Sequence, residues 1–132
     1  MGDSGERASF VLIDRGGGRV DGATAGFDRR RLVRLRRGDP PPERELDLHG
    51  LRRDEARRAL RAALREALAA GERCLLVVHG RGMRSEAGAV LREALPGWLA
   101  EPPHGARVLA FASADAHAGG ATYVLLRRAP RR

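Results

Sequence analysis

Apolar residues in the second half of the chain follow two rhythms. Glu45-Leu46-Asp47-Leu48 alternates with period two, as a half-buried strand does. Between Asp54 and Ala70, Ala56, Leu60, Ala63, Leu64, Ala67 and Leu68 recur at three- and four-residue spacing, the stripe of an amphipathic helix. Asp54 and Glu55 complement the dipole of its first turn, and Gly71 supplies its stop. Cys74 to Val78 is a continuous aliphatic run, the form of a strand covered on both faces. Ser85-Glu86 opens a second helix through about Leu95, where Pro96 is expected to end it and Trp98 and Leu99 to anchor the next turn. RVLAFAS (107–113) and TYVLLR (122–127) read as two further strands joined by the segment ADAHAGGA. The predicted order is β-α-β-α-β-β, an α/β domain whose first two strands are parallel beneath their connecting helix.

The pattern fades ahead of position 43. Residues 1–26 are Gly-rich and aperiodic, with Gly16-Gly17-Gly18 among them, and are expected to be largely disordered. FDRRRLVRLRRG (27–38) is a basic arm carrying Arg29, Arg30, Arg31, Arg34, Arg36 and Arg37, broken by Gly38 and Asp39-Pro40-Pro41-Pro42. The arm reads either as a solvated lead-in or as a phosphate-contacting segment. The expected division is an extension over 1–43 and a domain over 44–132.

Composition narrows the class. With 42% hydrophobic and 32% charged residues, the chain suits a soluble globular domain. No apolar stretch nears the roughly 18 residues that span a bilayer, and MGDSGERASFVLID lacks the basic-then-apolar order of a signal peptide. A lone Cys74 excludes an internal disulfide and a thiolate metal cluster, so the expected compartment is the cytoplasm with no membrane partner. The formal charge of +8 favours an anionic partner, although all 25 basic residues are Arg, which a GC-rich genome also writes. At 4% aromatic residues there is no base-stacking platform, which favours recognition of a nucleic-acid backbone or shape.

Two strands end alike, in Leu-His49-Gly50 and in Val-His79-Gly80-Arg81-Gly82, thirty residues apart. That is the length of one βαβ unit, whose strands deliver their carboxyl ends to one sheet edge, where open α/β sheets bind ligands. Gly80 and Gly82 allow backbone N–H groups near an oxyanion, and Arg81 and Arg84 add charge; a tight Gly turn is the plain alternative. Gly50, Gly119 and Gly120 complete the candidate phosphate-binding set. Asp47 lies two residues before His49, on the same strand face, where it could orient an imidazole, hold a metal ion or simply face solvent. His104 reads as incidental, and His117 lies in a loop that could line the same rim. Arg57, Arg61 and Arg65 line up at four-residue spacing and read first as a solvated face.

Taken together, LDLHG (46–50), VVHGRG (77–82) and GGATYVLL (119–126) resemble the Smr (small MutS-related) domain, over about residues 44–128. The basic stretch at 27–38 resembles the one preceding the domain in stand-alone bacterial members. The resemblance implies a compact two-layer α/β sandwich like the C-terminal domain of translation initiation factor three. It also implies nucleic-acid binding with endonuclease activity, since members of that family nick DNA or cleave messenger RNA at stalled ribosomes. By that resemblance Asp47, His49, His79, Gly80 and Gly82 are the activity-linked positions. The chain departs from the family where Arg52 replaces a helix-capping Thr, and where the Gly-rich loop contracts to Gly119-Gly120-Ala121.

The leading expectation is therefore an endonuclease with Asp47, His49 and His79 as catalytic residues. On RNA, one histidine would take the 2′-hydroxyl proton and the other protonate the leaving oxygen. On DNA, a divalent cation (Mg or Mn) on Asp47 would be needed to activate water. The competing expectations are a non-catalytic module for nucleic acid or the ribosome, and a site for a small phosphorylated ligand.

Overall fold

The parallel pair forms as the sequence predicts. In the computed structural model, which describes residues 5–80 and 86–128, strand β3 (Arg44–Asp47) runs parallel to β4 (Cys74–Val78), with Asp47 opposite Val78. The elements around them are β1 (Val11–Gly16), β2 (Arg19–Ala23), α1 (Arg29–Arg36), α2 (Arg53–Ala69), α3 (Glu86–Leu99), β5 (Val108–Ser113) and β6 (Ala121–Leu126). All six strands form one mixed sheet in the order β1-β2-β5-β6-β4-β3, parallel only between β3 and β4.

Period-two alternation divides the core between the two faces of the sheet. Leu75 and Val77 of β4 and Val124 and Leu126 of β6 meet Leu60, Leu64, Leu91 and Trp98 of α2 and α3. Cys74 and Leu76 of β4 and Tyr123 and Leu125 of β6 meet Leu32 and Leu35 of α1 on the opposite face. Cys74 is a buried apolar residue, its thiol pushed up to about 12, chiefly by burial. Helix α2 buries the predicted Ala56, Leu60, Ala63, Leu64 and Ala67, while Leu68 is half-buried. Arg52 gives no side-chain cap; Glu55 instead accepts a hydrogen bond from the Arg52 N–H at 2.9 Å. Helix α3 continues past Pro96 to Leu99, because Trp98 and Leu99 pack into the core and hold the last turn in place.

The expected disorder of residues 1–26 is corrected over 11–23. β1 and β2 form an antiparallel hairpin that pairs with β5, and the three glycines are its turn, at φ of 79°, 63° and 79°. Left-handed φ is what Gly offers at no steric cost. The low-complexity signal was turn chemistry. Gly22 of β2 lies flat under the ring of Phe111, so that any Cβ there would collide with it. Asp21 beside it is fully buried and fastened to α1 and β5: Arg36 donates from Nε at 2.7 Å and the Ser113 N–H at 3.1 Å. Sheet and core therefore run continuously across the division expected at position 43.

Candidate nucleic-acid active site

Parallel pairing brings the two His-Gly ends together. Leu48 continues the ladder by donating to Val78 O at 2.7 Å and is buried, so that its neighbours Asp47 and His49 face outward with side chains 50% and 69% exposed. Asp47 Oδ1 accepts both the His49 backbone N–H at 3.0 Å and the ring Nδ1–H at 2.6 Å. The ring contact first, then the backbone N–H, hold the Asp47 carboxyl below its usual range. A carboxylate bound at Nδ1 places the proton of a neutral imidazole there and turns the basic Nε2 lone pair outward. Among the described residues Nε2 has no hydrogen-bond partner.

His79 reaches the same sheet end but points inward, only 2% exposed. Its Nδ1 lies 3.2 Å from Gly80 O and its Nε2 3.0 Å from Thr122 Oγ1. A carbonyl can only accept, so Nδ1 donates to Gly80 and the Thr122 hydroxyl donates to Nε2. Burial pushes the His79 pKa down, partly opposed by the bond to Gly80. The ring is neutral and engaged at both nitrogens. Of the two histidines expected to share the proton transfers, His49 is exposed on the rim and His79 is turned inward.

The glycines divide in the same way. His79 N–H and Gly80 N–H both donate to Gly120 O at 3.0 Å, so the Gly80 amide braces the loop and is not offered to a phosphate. Gly80 still sets the floor of the site. Its φ of +101° excludes most side chains, and a Cβ built there would stand 3.9 Å from His49 Cβ. Gly50 beside His49 is exposed, whereas Gly119 and Gly120 are buried behind the rim. Arg81, Gly82 and Arg84 lie outside the described residues. His117 is half-exposed in the β5–β6 loop, and its carbonyl accepts from Gly120 N–H at 2.8 Å. His104 is buried and donates from Nε2 to Trp98 O at 2.8 Å.

The basic arm is helix α1, and its arginines are not equivalent. Arg36 is committed to buried Asp21, Arg31 lies 4.8 Å over the Phe27 ring, and Arg34 pairs loosely with Asp39 at 3.7 Å. Arg29, Arg30 and Arg37 face solvent. Thr122, Asp21 and Arg15 escaped the sequence reading because their partners are remote. Arg15 joins Asp21 at 3.2 Å and Asp115 at 3.1 Å, tying the hairpin to the loop behind the site. The one local signal was a hydroxyl opening the apolar run of β6.

As metal ligands, no three or more His, Cys, Asp or Glu side chains gather among the described residues. Asp47 Oδ1 is doubly hydrogen-bonded, which leaves Oδ2 as the oxygen that would hold a Mg or Mn ion, whose chemistry would be the activation of water.

The Smr domain family model matches residues 46–127, which include both His-Gly ends and the Gly119-Gly120 loop. This chain belongs to the Smr family. Among its relatives, a ribosome rescue factor SmrB of Aliivibrio salmonicida is 35% identical over 117 residues, covering 89% of this chain and 62% of the relative. A SmrB of Yersinia pestis is 38% identical over 101 residues, covering 76% and 53%. The chain thus spans between half and two-thirds of the length of these relatives. The crystal structure of YdaL, a stand-alone small MutS-related protein from Escherichia coli, matches at a TM-score of 0.67 and 26% identity, covering 96% of both chains. That coverage takes in the hairpin and α1 as well as the Smr domain. No described helix is long and apolar enough to cross a membrane.

Proposed function

We propose that this Smr protein is an RNA endonuclease in which His49 is the general base and Asp47 its orienting partner. The observation that carries the reading is the 2.6 Å contact between Asp47 Oδ1 and His49 Nδ1 on an open rim, with Nε2 facing outward. His49 Nε2 takes the proton of a 2′-hydroxyl, and the freed oxygen attacks the adjacent phosphorus. The bond from phosphorus to the 5′ oxygen then breaks, leaving a 2′,3′-cyclic phosphate. The leaving oxygen is protonated by the imidazolium or by solvent. Asp47 stabilises the positive charge that His49 acquires in between. Arg81 and Gly82 are proposed to meet the phosphate, on the strength of their place in the sequence. His79 acts through Gly80 and the Gly120 carbonyl, fixing the floor against which His49 stands. Its buried, doubly bonded ring argues against either of the two proton-transfer roles that the sequence shares between the histidines.

RNA is favoured because Asp47 and His49 form an exposed carboxylate–imidazole pair, while among the described residues no cluster of three or more metal-ligating side chains is found. On DNA, which has no 2′-hydroxyl, water would have to attack instead, and a cation held by Asp47 Oδ2 would supply its activation. Relatives named ribosome rescue factors support a substrate presented on the ribosome. Cleavage of end-labelled RNA and DNA, with and without EDTA, tests this against His49→Ala. RNA cut in EDTA by wild type, and reduced on the order of 10²–10⁴-fold by H49A at unchanged binding, is the expected result. Equal loss of binding and cleavage in H49A would sink the base assignment. Binding without cleavage, on free RNA and on ribosomes alike, would make the chain a non-catalytic module.

A further inference from the structure

The sheet has a second charged end, opposite the Asp47–His49 rim. β3 and β4 run away from it, β6 arrives at it and β5 begins there. Two clefts of about 280 and 310 Å³ open there and share Leu68 and Arg107, so they form one trough. Arg61 and Arg65 of α2, Arg107, Arg73, Arg127 and Arg128 line it. Little acid answers them. Among the described residues no carboxylate lines the first cleft; Glu72, which lines the second, is held by Arg44 at 2.7 Å, and Glu43 beside Arg73 accepts the Arg73 backbone N–H at 2.6 Å. Arg61 gives one nitrogen to Glu101 at 3.0 Å, and Arg73 and Arg107 each donate to a strand-end carbonyl, at 2.9 Å to Leu126 O and Arg127 O respectively. Burial first, then the guanidinium groups of Arg128 and Arg31, hold Arg73 below the ordinary arginine value. Like charges are crowded here at an electrostatic cost that a bound anion would relieve.

We infer that this trough is a second phosphate-binding surface, which holds the phosphodiester backbone of a nucleic acid at a distance from the scissile bond. Arginine forks suit phosphate oxygens, and the scarcity of aromatic side chains points to backbone contact without base stacking. Arg73 precedes His79 by six residues of nearly straight strand, so the trough stands about 20 Å from the rim. At roughly 3.4 Å of rise per nucleotide, a strand of about six nucleotides or more is needed to touch both ends. The inference rests on the nucleic-acid reading of the rim, to which it adds a length requirement.

The test compares Arg65→Gln/Arg127→Gln/Arg128→Gln with Arg58→Gln, which removes an exposed arginine of the same helix outside the trough. Binding of labelled RNAs of about 5 and 25 nucleotides is titrated against salt, in a His49→Ala background so that cleavage does not intervene. For the long RNA, the triple variant should lower the slope of log K on log salt by about 2, near 0.7 for each lost contact. Its affinity at moderate salt should fall tenfold or more. The short RNA should bind both proteins alike, and Arg58→Gln should keep the parental slope. An unchanged slope and affinity for the long RNA would overturn the inference and leave the trough to some other anion, such as an acidic protein. Arg128→Gln alone, with about a third of the slope effect, serves if the triple variant melts early. A protein that binds long RNA through the trough but never cuts would sink the endonuclease and keep this site. Normal cutting with an unchanged slope would do the reverse.

Discussion

His79 Nε2 and Thr122 Oγ1 lie 3.0 Å apart inside the sheet, 43 residues distant in sequence, and the hydroxyl is the donor. Protonating the ring would make that nitrogen a donor, oblige the hydroxyl to turn and accept, and place a charge where the ring is only 2% exposed to water. The folded chain therefore resists a proton that the unfolded chain accepts near the ordinary histidine value of 6.5. Because the unfolded state binds more protons, stability is full above about pH 6.5 and falls as pH drops from there toward the depressed folded value. Buried His104, also depressed chiefly by burial, acts in the same direction. Melting temperature measured from pH 8 to pH 5 should decline below about 6.5, and His79→Gln should flatten part of that decline. A variant with an unaltered pH slope would show that His79 titrates normally.

Asp21 is the second remote anchor. It is fully buried, with Arg36 at 2.6 Å and Arg15 at 3.2 Å as its ion-pair partners. Removing one member of a buried pair leaves the other charge uncompensated, at about 3–5 kcal/mol. Asp21→Asn should lower unfolding stability by that order. It should also speed hydrogen exchange in β1 and β2 more than in β4, since the hairpin loses its tie to α1 and β5. Denaturant unfolding together with exchange reads both effects. Uniform acceleration across the sheet would mean that the network serves the whole fold and not the hairpin in particular.

What the sequence disclosed follows from range. The α2 stripe, the aliphatic β4 and the meeting of the His49 and His79 strands depend on local periodicity and on the obligatory geometry of a parallel crossover, so they were legible. The hairpin was hidden because its strands are short and partly exposed, and its triple glycine looks like linker until the turn angles are known. Pro96 misled because core packing by Trp98 and Leu99 outweighs the local break. In the site, Asp47 and His49 sit two residues apart and could be paired by strand pleat alone. The inward turn of His79 could not, since it is set by Thr122 and the Gly120 carbonyl from a strand that arrives much later.

The Asp47–His49 pair yields the prediction that bears most directly on activity. Asp47→Asn keeps the size of the side chain and an oxygen for one of the two hydrogen bonds from His49. It removes the negative charge that stabilises the imidazolium, and its amide can present an N–H that favours the wrong ring tautomer. If His49 is the base, RNA cleavage by Asp47→Asn should fall on the order of 10²–10⁴-fold while RNA affinity stays within a few-fold. The folded-state pKa of Asp47 is depressed by its bonds to His49, so its contribution to stability is present above the ordinary carboxylate value of 3.8 and lost only below it. The variant should thus melt close to wild type at pH 7, because both groups are half or more exposed and the pair adds little to stability there. Chelation and a double variant separate the roles. If Asp47 acts through the imidazole, EDTA should leave wild-type RNA cleavage unchanged, and Asp47→Asn added to His49→Ala should cost little further cleavage. Wild-type cleavage that EDTA abolishes and added Mg or Mn restores would mean that Asp47 serves a metal ion and not the imidazole.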